Sequence, residues 1–358
     1  MSLYRKYRPL VFKDIAGQEH IKQTLQNEIA GNSTVHAYLF SGPRAVGKTT
    51  TARILARAVN CTKRKDGESE PCNGCDSCES ILQGRALDMM EIDAASHTGV
   101  DNVRENIIAA ARVANASLKV KIFVIDEVHM LSTSAFNALL KLMEEPPQNV
   151  VFILATTELH KVPATIVSRC QRFDFKKINS VDMEKRLKKL IKMEKKEVDA
   201  DVLDDIIRLS EGCLRDAESL LGQILSLDDN VITRHTAEVI LPHSNRELVR
   251  TIAENIAKKD TPAALAAVNS AIEDGVDIPT FLDDIIEYFR KGLLLKSGAS
   301  DVLSLTQHEA RELSQNIERF DSEGVIRLIE YFSAAQREVK YVSLPQLPLE
   351  IAVIRGCL

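Results

Sequence analysis

The chain holds 358 residues, 45% of them hydrophobic and 27% charged, with seven cysteines and a net charge of −5. That length is too great for one compact core, so two or three domains are expected, and the composition is that of an ordinary soluble globular protein. No apolar run nears the ~20 residues needed to span a bilayer. The N-terminus, Met1-Ser2-Leu3-Tyr4-Arg5-Lys6-Tyr7-Arg8-Pro9, lacks the apolar core of a signal peptide. Both observations point to a cytoplasmic location and no membrane partner.

The charge is unevenly spread. Residues 243–358 carry 13 Lys and Arg against 18 Asp and Glu, while residues 1–242 carry 33 of each. A domain built only to grip nucleic acid should show a clear basic excess. Any DNA contact is therefore expected from a few placed residues in the first part, and the acidic C-terminal part reads as a protein-binding module.

Taken in order, Ala37-Tyr38-Leu39-Phe40 reads as a short buried strand and Thr50 to Asn60 as a helix. Between them, Gly42-Pro43-Arg44-Ala45-Val46-Gly47-Lys48-Thr49 fits G-x-x-x-x-G-K-[ST] without deviation. Its glycines let the backbone wrap around phosphate oxygens with N–H groups pointing inward. Lys48 would reach the terminal phosphates, and the Thr49 hydroxyl would take a place on Mg²⁺. The strand–loop–helix setting favours a nucleoside triphosphate site over an incidental glycine loop.

Cys61, Cys72, Cys75 and Cys78 follow with the spacing C-x10-C-x2-C-x2-C. In a reducing compartment such clustering suggests metal rather than disulfides. Four thiolates close a tetrahedral structural Zn²⁺ site; an iron–sulfur cluster or chance grouping are the alternatives. Cys170, Cys213 and Cys357 read as small packing residues.

Met89-Met90-Glu91-Ile92-Asp93 is a weak strand, whereas Lys121 to Asp126 and Val150 to Ala155 are continuous β-rich runs of the kind found in buried parallel strands. Ile122-Phe123-Val124-Ile125-Asp126-Glu127 ends in two carboxylates. With a phosphate loop upstream, Asp126 is suited to Mg²⁺ and Glu127 to orienting or activating the attacking water. Many strands end in acids without such a role.

From about residue 180 the β pattern stops. Val181 to Glu197, Ala200 to Ser210, Leu214 to Ser226 and Thr233 to Leu241 read as helices, and the basic run from Lys185 to Lys196 reads as a solvated face rather than a nucleic-acid patch. Pro242 marks a boundary. Beyond it Leu282, Ile285, Ile286, Phe289 and Leu293 share one helix face, and Ile326, Ile329, Tyr331 and Phe332 belong to another amphipathic helix. The end at Gly356-Cys357-Leu358 is abrupt, so a longer protein is expected.

Together with Tyr4 to Pro9, Asp126-Glu127-Val128-His129-Met130-Leu131 and Ser168-Arg169-Cys170, these motifs resemble the gamma/tau family of bacterial clamp-loader ATPases, part of the DNA polymerase III holoenzyme. The resemblance covers essentially the whole chain. It implies an AAA+ P-loop NTPase core over residues 1–178, an α/β fold with a parallel sheet and helices on both faces. It further implies a zinc knuckle inserted at 61–85, a small helical lid at 179–242 and an all-α collar at 243–358.

The implied activity is ATP hydrolysis at a subunit interface, used with Mg²⁺ to open a sliding clamp and load it onto primer–template DNA. The implied partners are further copies of this subunit, delta and delta-prime type subunits, the clamp and DNA. Under the resemblance Arg169 is an arginine finger for the neighbouring subunit, although by itself it could be a helix-end residue. The resemblance also makes Thr157, of the pair Thr156 and Thr157, the γ-phosphate sensor and Arg215 the second sensor in the first turn of a lid helix; by themselves the threonines could simply end a strand and Arg215 could pair with a neighbouring acid. Tyr7, Arg8, Pro9 and Val11 line the adenine pocket. DNA backbone contacts are expected from Thr98, Arg104, Asn137 and Lys141 at the starts and early turns of two helices.

Two rivals share parts of this pattern. A DNA-translocating motor would be expected to carry a DNA-binding C-terminal domain, against which the acidic helical tail and the cysteines count. A non-hydrolysing scaffold would show a broken phosphate loop or lack Asp126 and Glu127, and neither is the case.

Overall fold

The computed structural model describes residues 2–96, 104–227, 231–237, 239–241, 245–299, 303 and 305–358. They divide into two units, Met1–Leu190 with Ser210–Gly222, and Ile191–Leu209 with Gln223–Leu358. The division runs through the expected lid segment 179–242, and Pro242 lies outside the described residues.

The first unit is built on a five-stranded sheet of β1 (Ala37–Ser41), β2 (Met89–Asp93), β3 (Lys121–Asp126), β4 (Val150–Thr156) and β5 (Gln171–Asp174). The order is β2-β3-β4-β1-β5, with every pairing parallel. Parallel strands need crossovers, which leave both faces covered by helices. The period of two then sends alternate side chains into two separate cores. Tyr38, Phe40, Ile122, Val124, Val151 and Ile153 pack on one face with helices α1 (Glu19–Ala30) and α2 (Lys48–Asn60). Leu39, Phe123, Ile125, Phe152 and Leu154 pack on the other with α3 (Thr133–Glu144). This is why β1, β3 and β4 read as continuous apolar runs. The edge strand β5 has one buried position of its four, Phe173, and the sequence reading passed over it.

β4 lies between β1 and β3, so Ser41, where the phosphate loop begins, is separated by one strand from Asp126. The carboxyl ends of all three strands open on the same edge of the sheet, where open α/β sheets bind ligands.

The second unit is largely helical. Helices Asn245–Ala257, Thr261–Glu273, Ile278–Lys296, Ser322–Glu338 and Gln346–Cys357 bury a common core that includes Leu282, Ile285, Phe289 and Phe332. Ile326 is exposed, because Val325, Leu328 and Phe332 form the inward stripe of that helix. The residue 180–241 region also departs from a purely helical reading: Glu197–Val198 and Val231–Ile232 pair as a two-residue parallel ladder, and the helix expected at Thr233 to Leu241 is Arg234–Ala237. In the basic run, Lys185, Lys188, Lys189 and Lys192 are exposed as expected. Arg186 is instead buried, with its Nε 2.8 Å from Glu218 Oε1. Among the described residues no helix is long and apolar enough to cross a membrane.

Candidate functional site

Two glycines shape the loop that leaves β1. Gly42 has φ +145°, and a Cβ there would lie 2.3 Å from the Phe175 carbonyl oxygen. Gly47 has φ +106° and caps the start of α2. Both positions lie in the region that side chains avoid, which explains the glycine spacing of the motif.

Lys48 is 6% exposed, and its ammonium donates to the carbonyls of Gly42 at 2.7 Å and Pro43 at 2.8 Å. Burial pulls its pKa down from the ordinary lysine value, and the charges of Glu127 and Asp126 oppose that shift. The Thr49 hydroxyl donates to Asp126 Oδ2 at 2.7 Å. The loop hydroxyl and the strand carboxylate thus meet side by side, the pair of oxygens a hard divalent cation uses next to phosphate.

Glu127 follows with φ +48°, a turn out of the strand. Its Oε2 accepts the Thr157 hydroxyl at 2.9 Å and the Thr157 N–H at 3.3 Å. His129 Nδ1 stands 3.4 Å from the same oxygen and 3.0 Å from the Thr156 hydroxyl. Of the two threonines ending β4, Thr157 is therefore the one tied to the second carboxylate.

Lys48, Thr49, Asp126 and Glu127 open into a cleft of about 490 Å³, whose lining does not include Gly42, Pro43 or Thr157. One part is lined by Arg44 through Thr50, Asp93, Asp126 and Glu127. The remainder is lined by Tyr4, Arg8, Pro9, Ile15, Ile178 and Leu214, with Arg215 and Glu218. Arg8 holds a buried NH1 without a hydrogen-bond partner, a polar atom suited to a ligand oxygen. Arg215 lies over the Tyr4 ring at 4.6 Å, and its hydrogen bond lowers the Tyr4 phenol to about 8. Burial raises the pKa of Glu218, although Arg186 pairs with it.

The expected residues are distributed as follows. Tyr7 and Val11 do not line the cleft: Tyr7 offers its carbonyl to Arg186 at 2.5 Å, and Val11 leads into the turn Phe12–Asp14. Arg169 also lies outside the cleft, partly exposed and held by Glu144 at 2.7 Å and the Thr165 carbonyl at 2.7 Å. Asn137 and Lys141 are exposed one turn apart on α3. Thr98 and the Arg104 side chain lie outside the described residues. Sequence reasoning missed Tyr4, Ile15, Asp93, Ile178 and Glu218 as lining residues; Tyr4 sits in a motif already singled out and Asp93 ends a strand read from the sequence, while the others carry no local signal.

The sulfurs of Cys61, Cys72, Cys75 and Cys78 all lie within 4.8 Å of one another, and all four thiols are free. A tetrahedral ion with metal–sulfur bonds of about 2.3 Å separates its ligands by about 3.8 Å, so the set fits. Backbone N–H groups of Cys72 and Gly74 point at Cys61 Sγ and Cys72 Sγ, each at 3.4 Å, as outer donors to thiolates. Of the other cysteines, Cys357 is in the helical core, and burial pushes the Cys170 thiol up to about 12.

Family models match two parts of the chain: DNA polymerase III, delta subunit, over residues 17–179, and DNA polymerase III subunits gamma and tau domain III over 232–358. The chain is 41% identical to DNA polymerase III subunit tau of Bacillus subtilis, an alignment covering 99% of this chain and 63% of that one. It is 33% identical to the Escherichia coli subunit tau over 99% of this chain and 55% of that one. The chain thus spans less than two thirds of the length of these relatives. Among solved structures, a mutant of Thermotoga maritima RuvB aligns with TM-score 0.50 and 18% identity, covering 75% of this chain and 86% of that one, which shows a shared fold. On the two family models and the identity across nearly all its residues, the chain belongs to the gamma/tau family of DNA polymerase III subunits.

Proposed function

We propose that the chain is the AAA+ ATPase subunit of a clamp loader, binding and hydrolysing ATP to open a sliding clamp and place it on primer–template DNA. The observation that carries this reading is the convergence of Lys48, Thr49, Asp126 and Glu127 on one cleft. The inward-facing loop and Lys48 bind the β- and γ-phosphates. Mg²⁺, held by Thr49 and Asp126, would draw charge from the phosphate oxygens. Glu127 orients the attacking water once it leaves Thr157, so Thr157 links the state of the γ-phosphate to the position of that carboxylate. Arg215, which lines the same cleft from its helix, reads the same charge. The adenine takes the less polar part of the cleft beside Pro9, Ile15 and Ile178.

The four cysteines bind a structural Zn²⁺, whose contribution is to cross-link a loop too small to carry a core. Residues 179–242 form the lid and 243–358 the collar that gathers further copies and delta and delta-prime type subunits into a ring. Contacts to the DNA backbone are assigned to Asn137 and Lys141, and by sequence position alone to Thr98 and Arg104. Arg169, outside its own chain's cleft and held at the surface by the exposed Glu144, the Thr165 carbonyl and the Ser168 hydroxyl, serves the ATP of the neighbouring subunit.

The test is ATP turnover with clamp, partner subunits and primed DNA. Arg169→Ala is expected to leave ATP affinity of the isolated chain within about twofold and to lower DNA-stimulated turnover of the complex about 1,000-fold. Equal loss in the isolated chain contradicts a shared site, and strand displacement without a clamp favours the motor.

A further inference from the structure

The four-cysteine loop touches the N-terminal segment at the point where that segment enters the cleft. Glu70, two residues before Cys72, accepts the backbone N–H of Phe12 at 2.7 Å and of Lys13 at 3.0 Å, and Gln26 steadies it at 3.1 Å. Asn73, directly after Cys72, has φ +56° and donates to the Leu10 carbonyl at 3.3 Å. Arg57, 2% exposed on α2, completes the knot by donating to Leu10 O at 3.1 Å and Asn73 Oδ1 at 3.0 Å. The stretch from Leu10 to Lys13 is thereby gripped on three backbone groups by side chains of the loop and of the helix that begins at Lys48.

The gripped stretch is flanked by lining residues. Arg8 and Pro9 precede it, Ile15 and Ala16 follow it, and all four face the cleft. A chain terminus is poorly ordered unless tied down. A carboxylate accepting two backbone N–H groups is a strong tie.

We propose that the four-cysteine loop is a positioning element for the nucleotide cleft: through Glu70 and Asn73 it fixes residues 10–13 and so presents Arg8, Pro9, Ile15 and Ala16 to the base and ribose of a nucleoside triphosphate. This rests on the nucleotide reading of the cleft. It assigns the metal-binding loop an effect on ligand affinity that is confined to the part of the ligand beyond the phosphates. If releasing this grip on residues 10–13 leaves the segment in its competent position a tenth of the time, apparent affinity falls about tenfold, whereas a ligand of phosphates alone is unaffected.

The experiment titrates the metal-bound full chain with ATP and with inorganic tripolyphosphate, for wild type, Glu70→Ala, Glu70→Gln and Asn73→Gly. Glycine suits the left-handed position of Asn73, so that variant removes the side-chain contacts without adding backbone strain. The expected result is a dissociation constant for ATP about tenfold higher in Glu70→Ala and about threefold higher in Asn73→Gly, with tripolyphosphate changed less than about twofold. Glu70→Gln, which keeps one acceptor, restores part of the ATP affinity. Amide hydrogen exchange at residues 10–13 should quicken in the same order, and extraction of the metal should reproduce the ATP-selective loss. ATP affinity unchanged in both Glu70→Ala and Asn73→Gly, or ATP and tripolyphosphate weakened in parallel, overturns the proposal. A wild-type chain that binds neither ligand overturns the nucleotide reading itself.

Discussion

The two parts of the cleft are made in opposite ways. The part proposed for phosphates comes from one unbroken loop, Arg44 to Thr50, and the ends of the neighbouring strands β2 and β3, which supply Asp93 and Asp126. The rest is assembled from segments far apart in the chain: Tyr4, Arg8 and Pro9, Ile15, Ile178 and the helix carrying Leu214, Arg215 and Glu218. Phosphate recognition uses backbone N–H groups, so a local backbone shape suffices for it. A pocket for a base needs side-chain surfaces from several directions, and no short motif encodes that.

Substitutions can break or sharpen this contrast. The largest effect is expected for Glu127→Gln, which should lower ATP turnover about 1,000-fold while the ATP dissociation constant stays within about threefold; single-turnover assays and calorimetry measure the two separately. Lys48→Ala should weaken ATP and tripolyphosphate alike, by about 100-fold, since both present the same phosphates. A smaller, selective effect is expected for Arg8→Ala: about fivefold for ATP and little change for tripolyphosphate, read in the same titration. Equal losses for both ligands would erase the distinction between the two parts.

The smallest effect on binding should come from Asp88, in the framework rather than the cleft. Its buried carboxylate accepts N–H groups of Leu118, Ser117 and Ala116, with Lys121 at 3.8 Å. Burial would raise its pKa, but those backbone donors, helped by Lys121, outweigh it and hold the group below the ordinary carboxylate value. A depressed pKa means that the stabilisation is complete above the unfolded value near 4 and is lost as pH falls through the folded value. Asp88→Asn should therefore cost about 2 kcal/mol at neutral pH, flatten the loss of stability below pH ~4, and leave ATP affinity unchanged. Denaturant melts at several pH values check it.

The same contrast explains what was legible in the sequence. The meeting of the phosphate loop with Asp126 and the grouping of the four cysteines could be read because each proposed chemistry demands particular residue types in a recognisable local pattern. The strands β1, β3 and β4 could be read because burial on both faces leaves every position between their ends apolar. β5 escaped because an edge strand of four residues with one buried side chain resembles a loop. Ile178 and Glu218 reach the cleft only through tertiary packing, and Arg186 looked like one more surface cation until Glu218 appeared beside it. Tyr7 and Val11 show the converse: neighbours of lining residues in the chain, they are not part of the lining. Ile326 shows the limit of apolar periodicity, since a helix in a bundle exposes whichever apolar residue falls off its inward stripe.

The most direct test of the nucleotide site is calorimetric titration of the purified chain with ATP and Mg²⁺, beside its Lys48→Ala variant. Saturable binding of one nucleotide per chain is expected, reduced about 100-fold in the variant. A wild-type chain that does not bind ATP, or a variant that binds as tightly as wild type, would contradict the nucleotide reading.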